Sequence, residues 1–264
     1  MIAMAKIMGV INVSPESRLI PCDTLDVAVA RGIKLASEGA DILDIGGEST
    51  RPYTPPVNAT VELERVIPVI RALKKATSVP LSIDTKKAEV AEAALAEGVA
   101  YINDVSGFTD PRMRQLAARS GAKLFIVHMQ GTPETMQDNP CYPEGVVPQL
   151  KSFFDRQINL LLAEGATADQ IILDPGIGFG KTVAHNLQIM KNLADFKKSG
   201  FPVLVGVARK SFIARILQKN GEELLPASLA LTAAALLNGV DFLRVHDVAE
   251  TVDVVNIMKA YRDA

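Results

Sequence analysis

Asp84, Asp174, Lys210, Arg244 and His246 are the residues whose types and positions promise chemistry in this 264-residue chain. Each stands where a short apolar run stops: Ser82-Ile83-Asp84-Thr85, Leu173-Asp174-Pro175-Gly176, Val207-Ala208-Arg209-Lys210 and Arg244-Val245-His246-Asp247. A carboxylate in such a place suits an amidine-like pair of N–H groups, which it meets as it meets arginine. Strand alternation puts Arg244 and His246 on one face, so both can point inward. Buried arginine needs an anion or an acid as partner. With Ser49-Thr50-Arg51 across the same mouth, an anionic group is the expected one. Asn12 and Asn103 end two further runs, where they serve either a flat polar ligand or neighbouring backbone. Blander roles compete: Asp84 could cap a helix, and Arg209 could be solvated surface. Capping is a weaker reading for Asp174, which Pro175-Gly176 separates from any helix.

Two stretches imitate other chemistries. Gly176-Ile-Gly-Phe-Gly-Lys-Thr182 looks like a phosphate loop, but the GxxxxGK[ST] spacing needs glycine where Pro175 sits. Asn58-Ala59-Thr60 fits a glycosylation acceptor, which a cytosolic chain would not use. His128, His185 and His246 are the three histidines. They are widely spaced without HxH or HExxH, so a dedicated zinc site is not expected, and His185 reads as surface at a helix start.

The elements that must position these residues follow from the runs themselves. Eight β-rich apolar runs, each closing on polar groups and each followed by a helical pattern, predict an α/β fold of the (β/α)8 barrel type. In that fold the strand C-termini share one mouth, where the chemistry sits. The strands are expected at about 6–12, 41–46, 80–84, 101–104, 123–129, 171–173, 202–207 and 242–245. Helices fill the intervals, among them 184–196 and 226–237, and the longest loops follow strands one, two, five and seven. No compositional break divides 1–264, so one domain is expected. The 48% apolar content is enough for a large core. The net charge of -2 argues against a general nucleic-acid or membrane-surface binder. Cys22 and Cys141 lack metal or redox spacing and read as free thiols. The first strand begins almost at the N-terminus, leaving no room for a signal peptide, and no apolar run approaches a membrane span of roughly 18 residues. The expectation is a soluble cytosolic enzyme.

Taken together, the strand-end motifs resemble those of the dihydropteroate synthase family, from about Ile7 to the last helix. They are Met8-Gly-Val-Ile-Asn-Val-Ser-Pro15, Asp44-Ile-Gly-Gly-Glu-Ser-Thr-Arg-Pro52, Ser82-Ile-Asp-Thr85, Ile102-Asn-Asp104, His128-Met-Gln-Gly131, Leu173-Asp-Pro-Gly-Ile-Gly-Phe-Gly-Lys181, Arg209-Lys-Ser-Phe212 and Arg244-Val-His-Asp247. The resemblance implies condensation of 6-hydroxymethyl-7,8-dihydropterin diphosphate with 4-aminobenzoate, giving dihydropteroate and pyrophosphate in folate biosynthesis. It implies that Asp84, Asn103, Asp174 and Lys210 hold the pterin, Asp174 at its amino-pyrimidine edge and Lys210 at its carbonyl and ring nitrogen. Arg244 would lie against the pterin and reach the diphosphate with His246. Asn12 would bind Mg2+ carried by the diphosphate, and Thr50 and Arg51 would contact anion or substrate. Pro52, Phe179, Lys210 and Ser211 would border the aminobenzoate slot, with Met129 and Gly206 among the substrate contacts. A homodimer is also what the family, a sulfonamide target, leads one to expect.

Three departures from the family stand out. After Asn12-Val-Ser-Pro-Glu-Ser17 the chain runs into Arg18-Leu-Ile-Pro-Cys22, without the usual phenylalanine and the aspartate-glycine pair beyond it. Tyr53-Thr-Pro-Pro56 replaces a glycine-containing loop and should be stiffer. Ala208 replaces a serine before Arg209. An altered lid that discriminates aminobenzoate from its mimics is one consequence. The alternative is a pterin-binding relative, methyltransferase-like or using another acceptor, without aminobenzoate condensation.

Overall fold

A computed structural model describes residues 4–16 and 22–264. The strands are β1 (Lys6–Asn12), β2 (Ile42–Gly46), β3 (Leu81–Asp84), β4 (Tyr101–Asp104), β5 (Lys123–Val127), β6 (Ile171–Asp174), β7 (Leu204–Val205) and β8 (Phe242–Val245). They form one parallel sheet in the order β6-β5-β4-β3-β2-β1-β8-β7. Its two edges meet through a parallel bridge between Leu173 and Val203, where the Leu173 N–H donates to the Pro202 carbonyl at 2.9 Å. The result is the expected barrel, nearly closed.

The helices are α1 (Leu25–Ser37), α2 (Ala59–Ala76), α3 (Ala88–Ala96), α4 (Pro111–Ser120), α5 (Val146–Ala163), α6 (Val183–Lys191), α7 (Leu193–Lys197), α8 (Ser211–Leu217), α9 (Leu225–Leu237) and α10 (Val248–Asp263). Their starts are chemically marked. Thr24, Asn58, Asp110 and Thr182 each accept a first-turn N–H with the side chain, satisfying donors that the helix itself cannot. Asn58 is therefore a helix cap, which accounts for it without glycosylation. Among the described residues no helix is long and apolar enough to cross a membrane.

Strand alternation sorts the barrel into layers. Met8, Ile42, Tyr101, Phe125, Ile172, Leu204 and Phe242 form a separate buried cluster inside the barrel, with Phe125 stacked on Tyr101 and edge-on to Phe242, both at 5.5 Å. Two residues further along the same strands stand Val10, Asp44, Asn103, Val127, Asp174, Gly206 and Arg244. Period two thus places a largely polar layer directly on an apolar floor. The alternate residues, among them Ile11, Leu43, Ile83, Ile102 and Leu243, join the core beneath the helices.

Several expectations need correction. β5 ends at Val127 rather than 129, and β7 is a two-residue ladder rather than 202–207, because Gly206 onward leaves the sheet for the mouth. The helix expected over 184–196 breaks at Asn192, which serves as C-cap of α6 and N-cap of α7. The segment after β7 contains α8, which has no side-chain cap to announce it. Asp84 caps no helix, since α3 begins at Ala88 with Lys87 at its N-cap position and no side-chain cap. The departures at residues 17–21 lie outside the described residues.

Candidate active site

A cavity of about 450 Å³ opens at the C-terminal strand ends. Asn12, Thr50, Arg51, Pro52, Asp84, Asp174, Phe179, Gly206, Lys210, Ser211, Arg244 and His246 all line it. Two of the expected residues do not. Asn103 is buried beside Asp44 in the same layer without reaching the wall, and Met129, half-buried beyond the end of β5, stands off the wall.

Arg244 organises the floor. Its Nε donates to Asp44 Oδ2 at 2.6 Å and its Nη2 to Asp84 Oδ2 at 2.5 Å. Two acids of the protein thus partner Arg244. Asn103 donates from Nδ2 to the same Asp44 oxygen at 3.0 Å. Asp44 is fully buried and its Oδ1 has no partner. Sequence reasoning missed Asp44 as a site residue. The signal was there: an acid in the middle of Ile42-Leu43-Asp44-Ile45, facing the same way as Gly46.

Asp174 accepts the Gly176 N–H at 2.7 Å, so local backbone supplies part of its satisfaction. The turn that follows needs its glycines. At Gly176, φ is +65° and a Cβ would sit 1.9 Å from the His128 carbonyl oxygen. At Gly180, a Cβ would sit 2.6 Å from the Gln130 carbonyl oxygen. The chain there is pressed onto the residues after β5, which sends Lys181 inward. Its ammonium donates to the carbonyls of Phe179 (2.9 Å) and His128 (3.2 Å) and lies 3.0 Å from His128 Nδ1. The lysine of the phosphate-loop lookalike is a buried strut. His185 closes the cap of α6 by accepting the Thr182 N–H, and sits edge-on to Tyr142.

Arg209 is not solvated surface. Its guanidinium forks onto Asp247, with Nε to Oδ2 at 3.1 Å, and its N–H donates to Ser228 Oγ at 2.9 Å. It clamps the loops after β7 and β8, which frees the neighbouring Lys210 to enter the cavity. Lys210 Nζ lies 4.4 Å from the centre of the Phe179 ring, a cation–π contact.

Burial sets the protonation states. It pushes Asp84 up to about 7, with Asp44 adding to the rise and Arg244 opposing it. It also raises Asp174, against the Gly176 N–H and Lys210. Burial and the nearby Arg244 guanidinium lower Lys210 to about 8. Burial, Arg244 and Arg31 lower His246 to about 3, so its imidazole is neutral. His246 Nδ1 is buried without a partner. The site thus offers carboxylates for N–H groups, cations for oxygens, and an apolar floor for a flat ring.

A family model described as pterin binding enzyme matches residues 8–246. A dihydropteroate synthase of Synechocystis sp. is 39% identical over 258 residues, covering 96% of this chain and 89% of that one. Among solved structures, the Yersinia pestis dihydropteroate synthase with a sulfonamide drug complex superposes with a TM-score of 0.96. It is 36% identical, over 100% of this chain and 96% of that one. The Xanthomonas albilineans dihydropteroate synthase with 4-aminobenzoic acid has a TM-score of 0.92 at 38% identity, covering 100% and 95%. The chain belongs to the pterin-binding enzymes and, among these transferases, to the dihydropteroate synthases.

Proposed function

We propose that this chain joins 6-hydroxymethyl-7,8-dihydropterin diphosphate to 4-aminobenzoate, forming 7,8-dihydropteroate and pyrophosphate. The observation that carries the reading is the convergence of Asp84, Asp174, Lys210, Arg244 and His246 on one cavity with an apolar floor. Asp174 takes the amino-pyrimidine edge, Lys210 the carbonyl and ring nitrogen, and Asn103 supports the pocket through Asp44, which it shares with Arg244. Arg244 lies against the pterin and, with His246, meets the diphosphate. His246, being neutral, acts there as a hydrogen-bonding group until a bound anion raises its affinity for a proton. Thr50 and Arg51 contact the anionic parts of the substrates. Phe179, Pro52, Lys210 and Ser211 border the aminobenzoate slot, with Gly206 giving close access beside Arg244 and Met129 acting from outside the wall.

The reaction needs positioning more than acid–base chemistry. The methylene–oxygen bond breaks with its electron pair leaving on pyrophosphate, whose charge Arg244 helps to balance. The pterin ring nitrogens and the Asp84 carboxylate stabilise the resulting methylene cation. The aromatic amine then attacks the methylene carbon and releases a proton, with no strong base required.

Mg2+ fits as a companion of the substrate. Among the described residues no three His, Cys, Asp or Glu converge on a metal position. Asn12 brings one amide oxygen to the cavity wall, in keeping with an ion that retains waters and substrate phosphates. Asn12 would help hold it beside the diphosphate, and the chemistry it would supply is charge withdrawal from the leaving group. A single cytosolic domain acting as a homodimer completes the reading. In support, Leu237 on α9 and Ile257 and Tyr261 on α10 are exposed apolar residues that a second copy would cover, which sedimentation would check.

The test is formation of dihydropteroate from the two substrates with Mg2+, using Lys210→Ala as control. Product that disappears in the variant supports the reading. Pterin binding without product overturns it in favour of another acceptor.

A further inference from the structure

The loop that carries Thr50, Arg51 and Pro52 to the cavity begins at Glu48, two residues beyond β2, and ends at Val57, just before the cap of α2. Glu48 touches both ends. Its side chain is 7% exposed, and Oε2 accepts the Val57 N–H at 2.9 Å. The same oxygen takes Lys87 Nζ at 2.6 Å, while Oε1 takes Lys86 Nζ at 3.0 Å. Both lysines stand in the turn after β3, the strand that ends at Asp84. Lys87 also pairs with Glu62 of α2, which is fully buried. One carboxylate therefore closes the loop on itself and fastens it to a strand turn and, through Lys87, to a helix. Arg65 of α2 adds a parallel tie. It donates to the Gly47 carbonyl at 2.8 Å and forks onto Glu16, in the loop after β1, at 3.0 and 3.2 Å.

An ionic cluster of this kind is not the cheapest way to stabilise a fold, since apolar residues of similar volume often do as well or better. What it adds is direction, because each oxygen has an assigned donor. It also solves an electrostatic problem. Glu48 lines the cavity, and a bare carboxylate there would repel anionic substrates. Burial alone would favour the protonated acid, but Lys87 and Lys86 outweigh it and hold the Glu48 pKa below its ordinary value. The carboxylate stays ionised and locally neutralised.

We propose that Glu48, held by Lys87 and Lys86, is a positioning residue for the second substrate, pre-forming the loop so that Thr50, Arg51 and Pro52 stand ready for 4-aminobenzoate. This rests on the condensation proposed above. Glu48→Gln keeps the shape and an acceptor for Val57 but ends both ion pairs. The expected result is an aminobenzoate KM raised about tenfold, since small misplacements at a reacting site are costly. kcat and the Kd for the pterin diphosphate should stay within about twofold. Amide hydrogen exchange across residues 49–57 should quicken in the same variant, while the strand amides stay protected. A purely structural role would move pterin and aminobenzoate constants together, and that result, or an unchanged aminobenzoate KM, overturns the proposal. Glu48→Asp, which keeps the charge but cannot span all three partners, is expected to act in the same direction and serves if Glu48→Gln fails to fold. A wild-type chain that makes no dihydropteroate would defeat the proposed reaction. The exchange of residues 49–57 would still decide whether Glu48 holds the loop.

Discussion

Arg244 at the end of β8 donates its Nε to Asp44 on β2 at 2.6 Å, a pairing of residues 200 positions apart in the chain. Asp44 does not line the cavity, yet it aims both Arg244 and Asn103. Substituting it separates the two functions of a buried acid. Asp44→Ala leaves a buried guanidinium short of one partner and should lower unfolding free energy by about 3–5 kcal/mol, read by urea denaturation. Asp44→Asn keeps the volume and one acceptor, so most stability should survive. Its kcat/KM for the pterin diphosphate should still fall about tenfold or more, because Arg244 loses its fixed direction. An Asp44→Asn enzyme with wild-type kcat/KM would show that Asp84 alone orients Arg244.

Lys210 enters the cavity with the Phe179 ring as its contact. Its ammonium makes no hydrogen bond to another described residue, and burial with Arg244 nearby lowers its pKa to about 8 from an ordinary 10.5. A depressed lysine contributes stability that is fully present above the unfolded pKa and lost as pH falls through the folded one. As pH falls from 10.5 to 8, stability should therefore decline, because the unfolded chain takes up a proton there while the folded lysine stays neutral. Lys210→Met should remove that decline and be more stable than wild type at pH 7.5 by thermal melting. The same variant should bind the pterin about 10- to 100-fold more weakly, having lost a charged donor. Wild-type pterin affinity should drop as pH rises through 8, which calorimetry across pH 7–9.5 would read.

The barrel and most of its mouth were legible because one signal served both. An apolar run with period two that ends in a polar residue declares a strand, its direction and its functional end at once. Leu173-Asp174 and Arg244-Val245-His246 carry that signal within four residues. β7 does not, since only the Val203 bridge and the Leu204–Val205 ladder pair before the chain turns out to present Gly206 and Lys210. α8 was hidden because a seven-residue helix without a side-chain cap has neither length nor a start signal. The partner of Arg244 could not be read at all. Barrel closure brings Asp44 and Asp84 to it from two other strands, and no local spacing encodes that meeting.

Tyr53 holds a backbone conformation whose cost can be measured. It sits at φ +62° and is 66% exposed, with its N–H donating to the Pro133 carbonyl at 2.9 Å. The left-handed region is costly for a residue with a Cβ and nearly free for glycine. Tyr53→Gly should therefore be more stable than Tyr53→Ala by about 1 kcal/mol, measured by chemical denaturation. Equal stabilities would mean that the loop relaxes to negative φ once the tyrosine is removed.

Lys181 allows the phosphate-loop resemblance to be tested directly. Its side chain is 2% exposed and is spent on the protein: two carbonyls and the ring nitrogen of His128 surround the ammonium. Burial and Lys181 itself push the His128 pKa down to about 2, so that ring is neutral and its Nδ1 can accept. Lys181→Met preserves length and bulk but leaves these acceptors buried without a donor. Each unsatisfied group costs about 1–3 kcal/mol, so the variant should melt lower than wild type, the opposite of the result expected for Lys210→Met. Burial lowers the Lys181 pKa to about 7, as it lowers that of Lys210 to about 8, so the contrast rests on the three acceptors around Lys181, which Lys210 lacks. The KM for the pterin diphosphate should remain within about twofold, because Lys181 is not among the residues that line the cavity. A large rise in that KM with unchanged melting would instead return Lys181 to the phosphate site.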